Sequence, residues 1–306
     1  ARPSTPSPIA CRSTAAACPA TGTIPATVHV GRTRDCGTGV QAQAAVSPRK
    51  PAGQDVDLSL VIPAYNEAAR LPATLDRVLD FLARRPITAE VIVVDDGSLD
   101  GTAAVVAAFA SSGNVRLIRL PHRGKAVAVR RGVANARGRF VIFTDADLST
   151  PIEHVDAMLR LLREDADVVI GTRAGVGSRR VGEPFYRHAM GRLYNFVVQR
   201  VVLSGIADTQ CGFKCFRGDI ADEVFPLQTI SGWTFDVEVL FIARRLGYRM
   251  QELPVTWRHV EGSKVRPAVD SLIMLRDVLA VRLNDRRGMY GRPVEPSRAA
   301  ARKVAD

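Results

Sequence analysis

Apolar and polar positions change period repeatedly between residues 57 and 170. Residues 58–63, 90–94, 115–120, 140–143 and 166–170 are short apolar runs rich in Val, Ile and Phe, the pattern of strands buried on both faces. Between them, 67–84, 100–110, 125–136 and 151–163 carry apolar residues at helical spacing. Ser98 stands where an N-cap would precede the second helix, and Pro151 suits the first turn of the fourth. This alternation predicts an α/β domain with a mostly parallel central sheet and helices on both faces. Ligands in such sheets bind at the carboxyl ends of strands.

The pattern fades at both ends. Residues 1–53 are rich in Pro, Ser, Thr, Ala and Gly and have no sustained period, so they cannot bury enough apolar area to offset the entropy of ordering and are expected to be a disordered, low-complexity tail. No apolar stretch of about 7–15 residues follows a basic start there, so no signal peptide is expected. No apolar run reaches the roughly 18 residues of a membrane span; the best, 196–207, is broken by Gln199 and Arg200. In 268–284, Val269, Leu272, Ile273, Leu275, Val278, Leu279, Val281 and Leu283 fall largely on one helical side with Arg276 and Arg282 at its edge, and 193–206 is similarly apolar. Such helices either lie on a membrane surface or complete the core. The expected organisation is a catalytic domain over 54–257, an amphipathic helical segment over 258–285 and a basic flexible tail over 286–306.

Charge follows the same division. Of the net +11, residues 1–53 hold six Lys/Arg against one acidic residue and 258–303 hold eleven against five, whereas 54–257 is close to neutral with 25 against 24. Basicity confined to the ends argues against a nucleic-acid groove and for an anionic surface or acceptor near the C-terminal end. Five cysteines, widely spaced and without a Cys-x-x-Cys pair, predict neither a disulfide framework nor a zinc site, and suggest a reducing compartment.

Two acidic signatures follow predicted strands: Val93-Val94-Asp95-Asp96-Gly97-Ser98 and Phe143-Thr144-Asp145-Ala146-Asp147-Leu148. Hard divalent cations take oxygen ligands and keep several waters, so one or two carboxylates plus substrate phosphates complete a site. Carboxylates in such loops also cap the helix that follows, and Asp-x-Asp alone does not separate the two readings.

Further segments add to these: Val61-Ile62-Pro63-Ala64-Tyr65-Asn66-Glu67, Gly124-Lys125, Asp208-Thr209-Gln210-Cys211-Gly212-Phe213-Lys214 and Gly232-Trp233-Thr234-Phe235-Asp236-Val237-Glu238. Over residues 57–284 the chain resembles the family 2 glycosyltransferases of the GT-A fold. Within them it resembles the dolichyl-phosphate β-glucosyltransferases and, at one further remove, the polyprenyl-phosphate mannose synthases. The resemblance implies that Pro63, Tyr65 and Glu67 line a nucleotide pocket, that Asp96 with Asp95 beside it binds base or ribose, and that Lys125 sits near the nucleotide or its phosphates. It further implies that Asp145 and Asp147 hold Mg²⁺ or Mn²⁺ and the diphosphate, with Asp147 the direct ligand. Arg173, Arg187 and Lys264 would supply positive charge to the acceptor phosphate or donor diphosphate. Asp236 stands where relatives carry a base, with Asp208 as the competing candidate. An acceptor phosphate, already anionic near neutral pH because its second pKa is about 6, needs positioning more than proton removal.

The implied reaction is inverting transfer of glucose from UDP-glucose to a dolichyl or polyprenyl phosphate by a cytoplasmic enzyme, peripheral at the cytoplasmic face of a membrane. Transfer from GDP-mannose, or to a soluble or glycan acceptor, is the alternative within the fold. A nucleotidyltransferase would open with a Gly-rich basic phosphate loop, which 58–67 lacks, and a pure binding module would leave the strand-end carboxylates without a purpose. The Gly-rich loop 175–182 with Arg179 and Arg180 fits no phosphate-loop fingerprint and is expected to be a mobile loop first and an acceptor clamp second. His122 and His188 are expected at the surface or in the core, and Trp233 and Phe235 in the core.

Overall fold

The computed structural model describes residues 56–111, 113–260 and 267–291, apart from the side chains of Tyr186, Arg187 and residues 267–271. The expected tail 1–53, Lys264 and most of 286–306 lie outside the described residues. The strands are β1 (Leu58–Ala64), β2 (Ala89–Asp95), β3 (Val115–Arg119), β4 (Phe140–Phe143), β5 (Val168–Thr172), β6 (Arg179–Val181), β7 (Lys214–Arg217), β8 (Met250–Pro254) and β9 (Thr256–Arg258). The helices are α1 (Leu71–Ala83), α2 (Thr102–Ala110), α3 (Lys125–Ala134), α4 (Val155–Glu164), α5 (Phe185–Val201), α6 (Gly218–Val224), α7 (Phe235–Arg245) and α8 (Pro267–Arg286).

Seven strands form one sheet in the order β3-β2-β1-β4-β7-β5-β8, and β6 and β9 form a parallel two-stranded ribbon. All pairings in the large sheet are parallel except those of β7, which runs antiparallel between β4 and β5. Because successive side chains of a strand point to opposite faces, each central strand feeds two cores. Val61, Val94 and Phe143 join α3, α5, α6, α7 and α8 on one face. Leu60, Ile62, Val93 and Ile142 join α1, α2 and α4 on the other.

The structure moves three predicted boundaries. The first helix starts at Leu71 and not at 67, because residues 65–70 turn back across β2: Asn66 adopts a positive φ of 53°, donates its N–H to Ser98 Oγ and accepts the Leu99 N–H on Oδ1. Ser98 is thereby a loop tie and no N-cap; α2 starts at Thr102, whose N–H goes to Asp100 Oδ1. Pro151 precedes a 3-10 turn, Ile152–His154, that leads into α4.

The C-terminal helix divides its apolar residues. Met274, Val278 and Val281 are buried in the core, whereas Leu272, Ile273, Leu275, Leu279 and Leu283 are exposed. Helix α5, packed against α8, does the same, burying Tyr194 and Val198 and exposing Phe185, Leu193 and Phe196. Among the described residues no helix is long and apolar enough to cross a membrane.

Candidate active site

The carboxyl ends of β1, β2 and β4 and the amino end of α3 meet at a cleft of about 650 Å³, the place where an open α/β sheet binds its ligand. Pro63, Tyr65 and Glu67 line it from the β1 end. Tyr65 stacks on His122, ring centroids 4.0 Å apart at 18°. His122 is exposed, as its surface reading expected, and the surface it occupies is the cleft wall.

Asp96 builds the neighbouring wall. Its carboxylate accepts the Arg123 and Gly124 N–H groups at 2.8 Å each and lies 2.8 Å from His122 Nδ1. Those amides approach the start of α3, where donors lack helical partners, and Gly124 reaches the geometry through a φ of 95°. Asp95, by contrast, does not line the cleft. It is fully buried, with Oδ1 accepting the Ser98 N–H, so its part is to hold the β2 turn and not to touch a base or ribose.

Asp145 and Asp147 leave the end of β4 in a tight turn. Leu148 takes a positive φ of 46°, a costly conformation for a branched side chain, held by Ser149 N–H donating to Asp147 Oδ1 and Thr74 donating to the Ala146 carbonyl. Lys125 Nζ lies 2.5 Å from Asp145 Oδ1. Burial, reinforced by the Asp145 charge, pushes the Asp147 carboxyl above its ordinary value. Burial alone would lower the Lys125 ammonium, but Asp145, Asp236 and Asp147 outweigh it and the net direction is upward.

One ammonium thus faces an excess of negative charge, which suits a cation. No group of three His, Cys, Asp or Glu able to hold a metal exists among the described residues, so two carboxylates would need oxygens from a bound phosphate and water to complete a shell. The donor set fits Mg²⁺ or Mn²⁺ carried with a diphosphate.

Arg173 lines the cleft from the end of β5 and is gripped from behind by Asp208: Nε to Oδ2 is 2.6 Å, Nη2 to Oδ1 is 2.9 Å, and the Arg173 backbone N–H also reaches Oδ2. Burial works against both charges, yet each partner outweighs it, holding Asp208 below and Arg173 above their ordinary values. This corrects the reading of Asp208 as a base. Its oxygens are engaged and its side chain is nearly closed to the cleft, so it orients Arg173. Arg180 buttresses the same group, donating to the Arg173 carbonyl and pairing with Glu183 at 2.7 Å, within the ribbon segment expected to be a mobile loop.

Asp236 lines the cleft from the first turn of α7. Lys214 of β7, fully buried, donates to its Oδ1 at 2.5 Å. Trp233 is 36% exposed and borders the cleft, whereas Phe235 is in the core as expected. The side chains of Arg187 and Lys264 lie outside the described residues. Sequence reasoning did not place at the site Arg70, which lines the cleft and pairs with Glu67 at 3.1 Å, nor His122, Trp233 and Lys214. For Lys214 a signal existed: a lysine inside the apolar run Cys211–Phe216 demands a buried partner.

The family model for glycosyl transferase family 2 matches residues 59–225. The dolichyl-phosphate β-glucosyltransferase of Dictyostelium discoideum is 36% identical over 251 residues, covering 77% of each chain. The human protein of that name is 35% identical over 76% of this chain and 77% of its own, and the Saccharomyces cerevisiae one 31% over 78% and 77%. Among solved structures, glucosyl-3-phosphoglycerate synthase of Mycobacterium tuberculosis with Mn²⁺, UDP and phosphoglyceric acid aligns with a TM-score of 0.55 at 20% identity, over 78% of this chain and 80% of that one. Mannosyl-3-phosphoglycerate synthase of Rubrobacter xylanophilus aligns with 0.56 at 20%, over 79% and 78%. Both are similar in fold.

Proposed function

The chain belongs to glycosyltransferase family 2, and on that premise we propose that it transfers glucose from UDP-glucose to a dolichyl-type polyprenyl phosphate with inversion at the anomeric carbon. The observation that carries the reading is that one cleft is lined both by the Asp145–Asp147 pair and by an Arg173 held rigid by Asp208. It is a site with one group suited to a metal-bound diphosphate and another to a second anion. The names of the relatives support the choice of glucose and dolichyl phosphate.

In this reading the Tyr65–His122 stack and the Asp96 loop receive the nucleoside. Asp145 and Asp147 hold Mg²⁺ or Mn²⁺, whose charge would screen the departing diphosphate. Lys125, at the amino end of α3, adds a donor and a positive helix end on the same side. Arg173, whose Nε and Nη2 are engaged by Asp208, offers its remaining Nη1 and Nη2 hydrogens to the acceptor phosphate. One acceptor oxygen attacks the anomeric carbon as the bond to UDP breaks, and since that oxygen is already an anion near neutral pH, no side chain has to remove a proton. Asp236 serves as an orienting anion. The exposed apolar side chains of α5 and α8, with Arg192, Arg200, Arg276 and Arg282 on the same two helices, suit the headgroup region of a bilayer and would bring the cleft to a lipid-borne acceptor.

The test is nucleoside diphosphate release from a donor panel with Mg²⁺ or Mn²⁺, with and without a short polyprenyl phosphate. UDP release from UDP-glucose stimulated by the lipid is expected. Preference for GDP-mannose, or indifference to the lipid, would overturn the substrate assignment.

A further inference from the structure

Lys214 contacts a cleft residue, Asp236, without itself reaching the cleft. It lies in the middle of the sheet, on β7, paired across β4 with Phe143. Its side chain is fully buried, and Nζ donates at 2.5 Å to Asp236 Oδ1 and at 2.6 Å to the Cys211 carbonyl, while the Phe143 ring centroid is 5.4 Å away. Of the three ammonium protons, two go to Asp236 Oδ1 and the Cys211 carbonyl, and the side chain has no exposed surface toward the cleft. A charge removed this fully from water persists only with a close counter-ion, and Asp236 is that counter-ion.

The two acceptors of Lys214 belong to two different walls of the site. The Cys211 carbonyl is in the segment that starts with Asp208, the clamp on Arg173, and passes through Gly212, which lies against Asp145. Asp236 belongs to α7. We propose that Lys214 is a positioning residue that fixes the Asp236 carboxylate at the cleft wall and ties α7 to the 208–213 segment. In this role it pins the carboxylate through Oδ1 and turns Oδ2 toward a sugar hydroxyl, from which it can accept a hydrogen bond. Asp236 is then a fixed hydrogen-bond acceptor that orients the reacting pair. This inference deepens the proposed transfer reaction and rests on it for the identity of the acceptor.

The experiment compares Lys214→Met, Asp236→Asn and the double variant with the wild type, by steady-state UDP release and by crystal structures of the variants. Lys214→Met is expected to show the Asp236 side chain swung from its present place, with kcat lowered about a hundredfold, the loss typical of a reacting group misplaced by about 1 Å, and the donor KM within about threefold. The double variant should lose no more kcat than Asp236→Asn alone, because both act through one group. An unmoved Asp236, an unchanged kcat in folded Lys214→Met, or losses that multiply in the double variant would each overturn the proposal. Should Lys214→Met fail to fold, the double variant, which removes both buried charges together, decides against Asp236→Asn. Absence of lipid stimulation in the wild type would sink the acceptor assignment, while the position of Asp236 in the Lys214→Met crystal would still judge Lys214.

Discussion

Gly212 and Asp145 are packed so closely that a β-carbon on Gly212 would stand 2.1 Å from Asp145 Oδ2 and 2.7 Å from its Cγ. The segment between α5 and β7 is thus pressed directly onto the first carboxylate of the Asp-x-Asp turn. Gly212→Ala must displace that carboxylate. The expected result is a turnover about a hundredfold lower in a protein that still folds, with more Mn²⁺ needed for half-maximal activity. UDP release measured across a Mn²⁺ titration checks it, and wild-type metal dependence in the variant would show that the turn can give way.

Lys125 neutralises Asp145 at 2.5 Å, so an incoming divalent cation competes with an ammonium already in place. Both side chains keep some exposure, so the pair is worth only about 1 kcal/mol, equivalent to roughly fivefold in affinity. Lys125→Met should therefore bind Mn²⁺ about fivefold more tightly in the absence of nucleotide, read by the loss of the free-ion paramagnetic resonance signal. The same variant should bind UDP-glucose more weakly, having lost a donor at the amino end of α3. Weaker metal binding would mean that Lys125 supports the site even when it is empty of nucleotide.

The Asp208–Arg173 pair gives a pH signature. Asp208 is held below its ordinary value of 3.8, so the pair's contribution to stability is complete above that value and is lost as the pH falls through the lowered one. Asp208→Asn leaves a buried guanidinium without its counter-ion, a loss of about 3–5 kcal/mol at pH 7. Urea unfolding should show this gap at pH 7 and a narrowing gap below pH 3.8. A gap that stays constant with pH would mean the loss arises from packing and not from charge.

The outward side chains of α8 give the membrane prediction. Leu272 and Leu279 are 71% and 62% exposed, so replacing both with Ser should leave the melting temperature almost unchanged. Burial of a leucine contributes about 1.5–3 kcal/mol, so partial insertion of the pair predicts co-sedimentation with anionic vesicles roughly 10- to 100-fold weaker. Equal sedimentation of the variant would remove this face from the lipid reading.

The parallel half of the sheet is visible in the sequence because β1, β2 and β4 are short runs dominated by apolar, mostly branched or aromatic residues, interrupted only by Ser59 and Glu90 and alternating with helical spacing. Asp145, Asp147 and Asp236 sit in segments that together carry the family resemblance, and the structure brings them to one cleft with Arg173, which lies outside those segments. What stayed hidden depends on partners far away in the chain. Asp208 reads as a free acid until Arg173, 35 residues earlier, closes on it. His122 reads as a surface histidine and is one, but nothing near it in the sequence shows that Tyr65, from another strand end, stacks on it. Ser98 has an N-cap's identity but faces Asn66 across a loop. The antiparallel insertion of β7 leaves no local mark, since four residues, Lys214-Cys215-Phe216-Arg217, have no pattern that distinguishes one direction from the other.

That insertion also dictates an order of assembly. On a ribosome, β1 to β4 and the Asp-x-Asp turn emerge well before residue 214, so the nucleotide side of the sheet can form while the β4 edge waits for its neighbour. The neighbour, when it comes, carries Lys214 and arrives directly after Asp208 and Gly212, and the Asp236 it pairs with follows about twenty residues later. A nascent chain can therefore have the elements for a nucleotide before it has any means to hand a sugar on, and the same pairing that finishes the sheet closes an exposed, aggregation-prone edge.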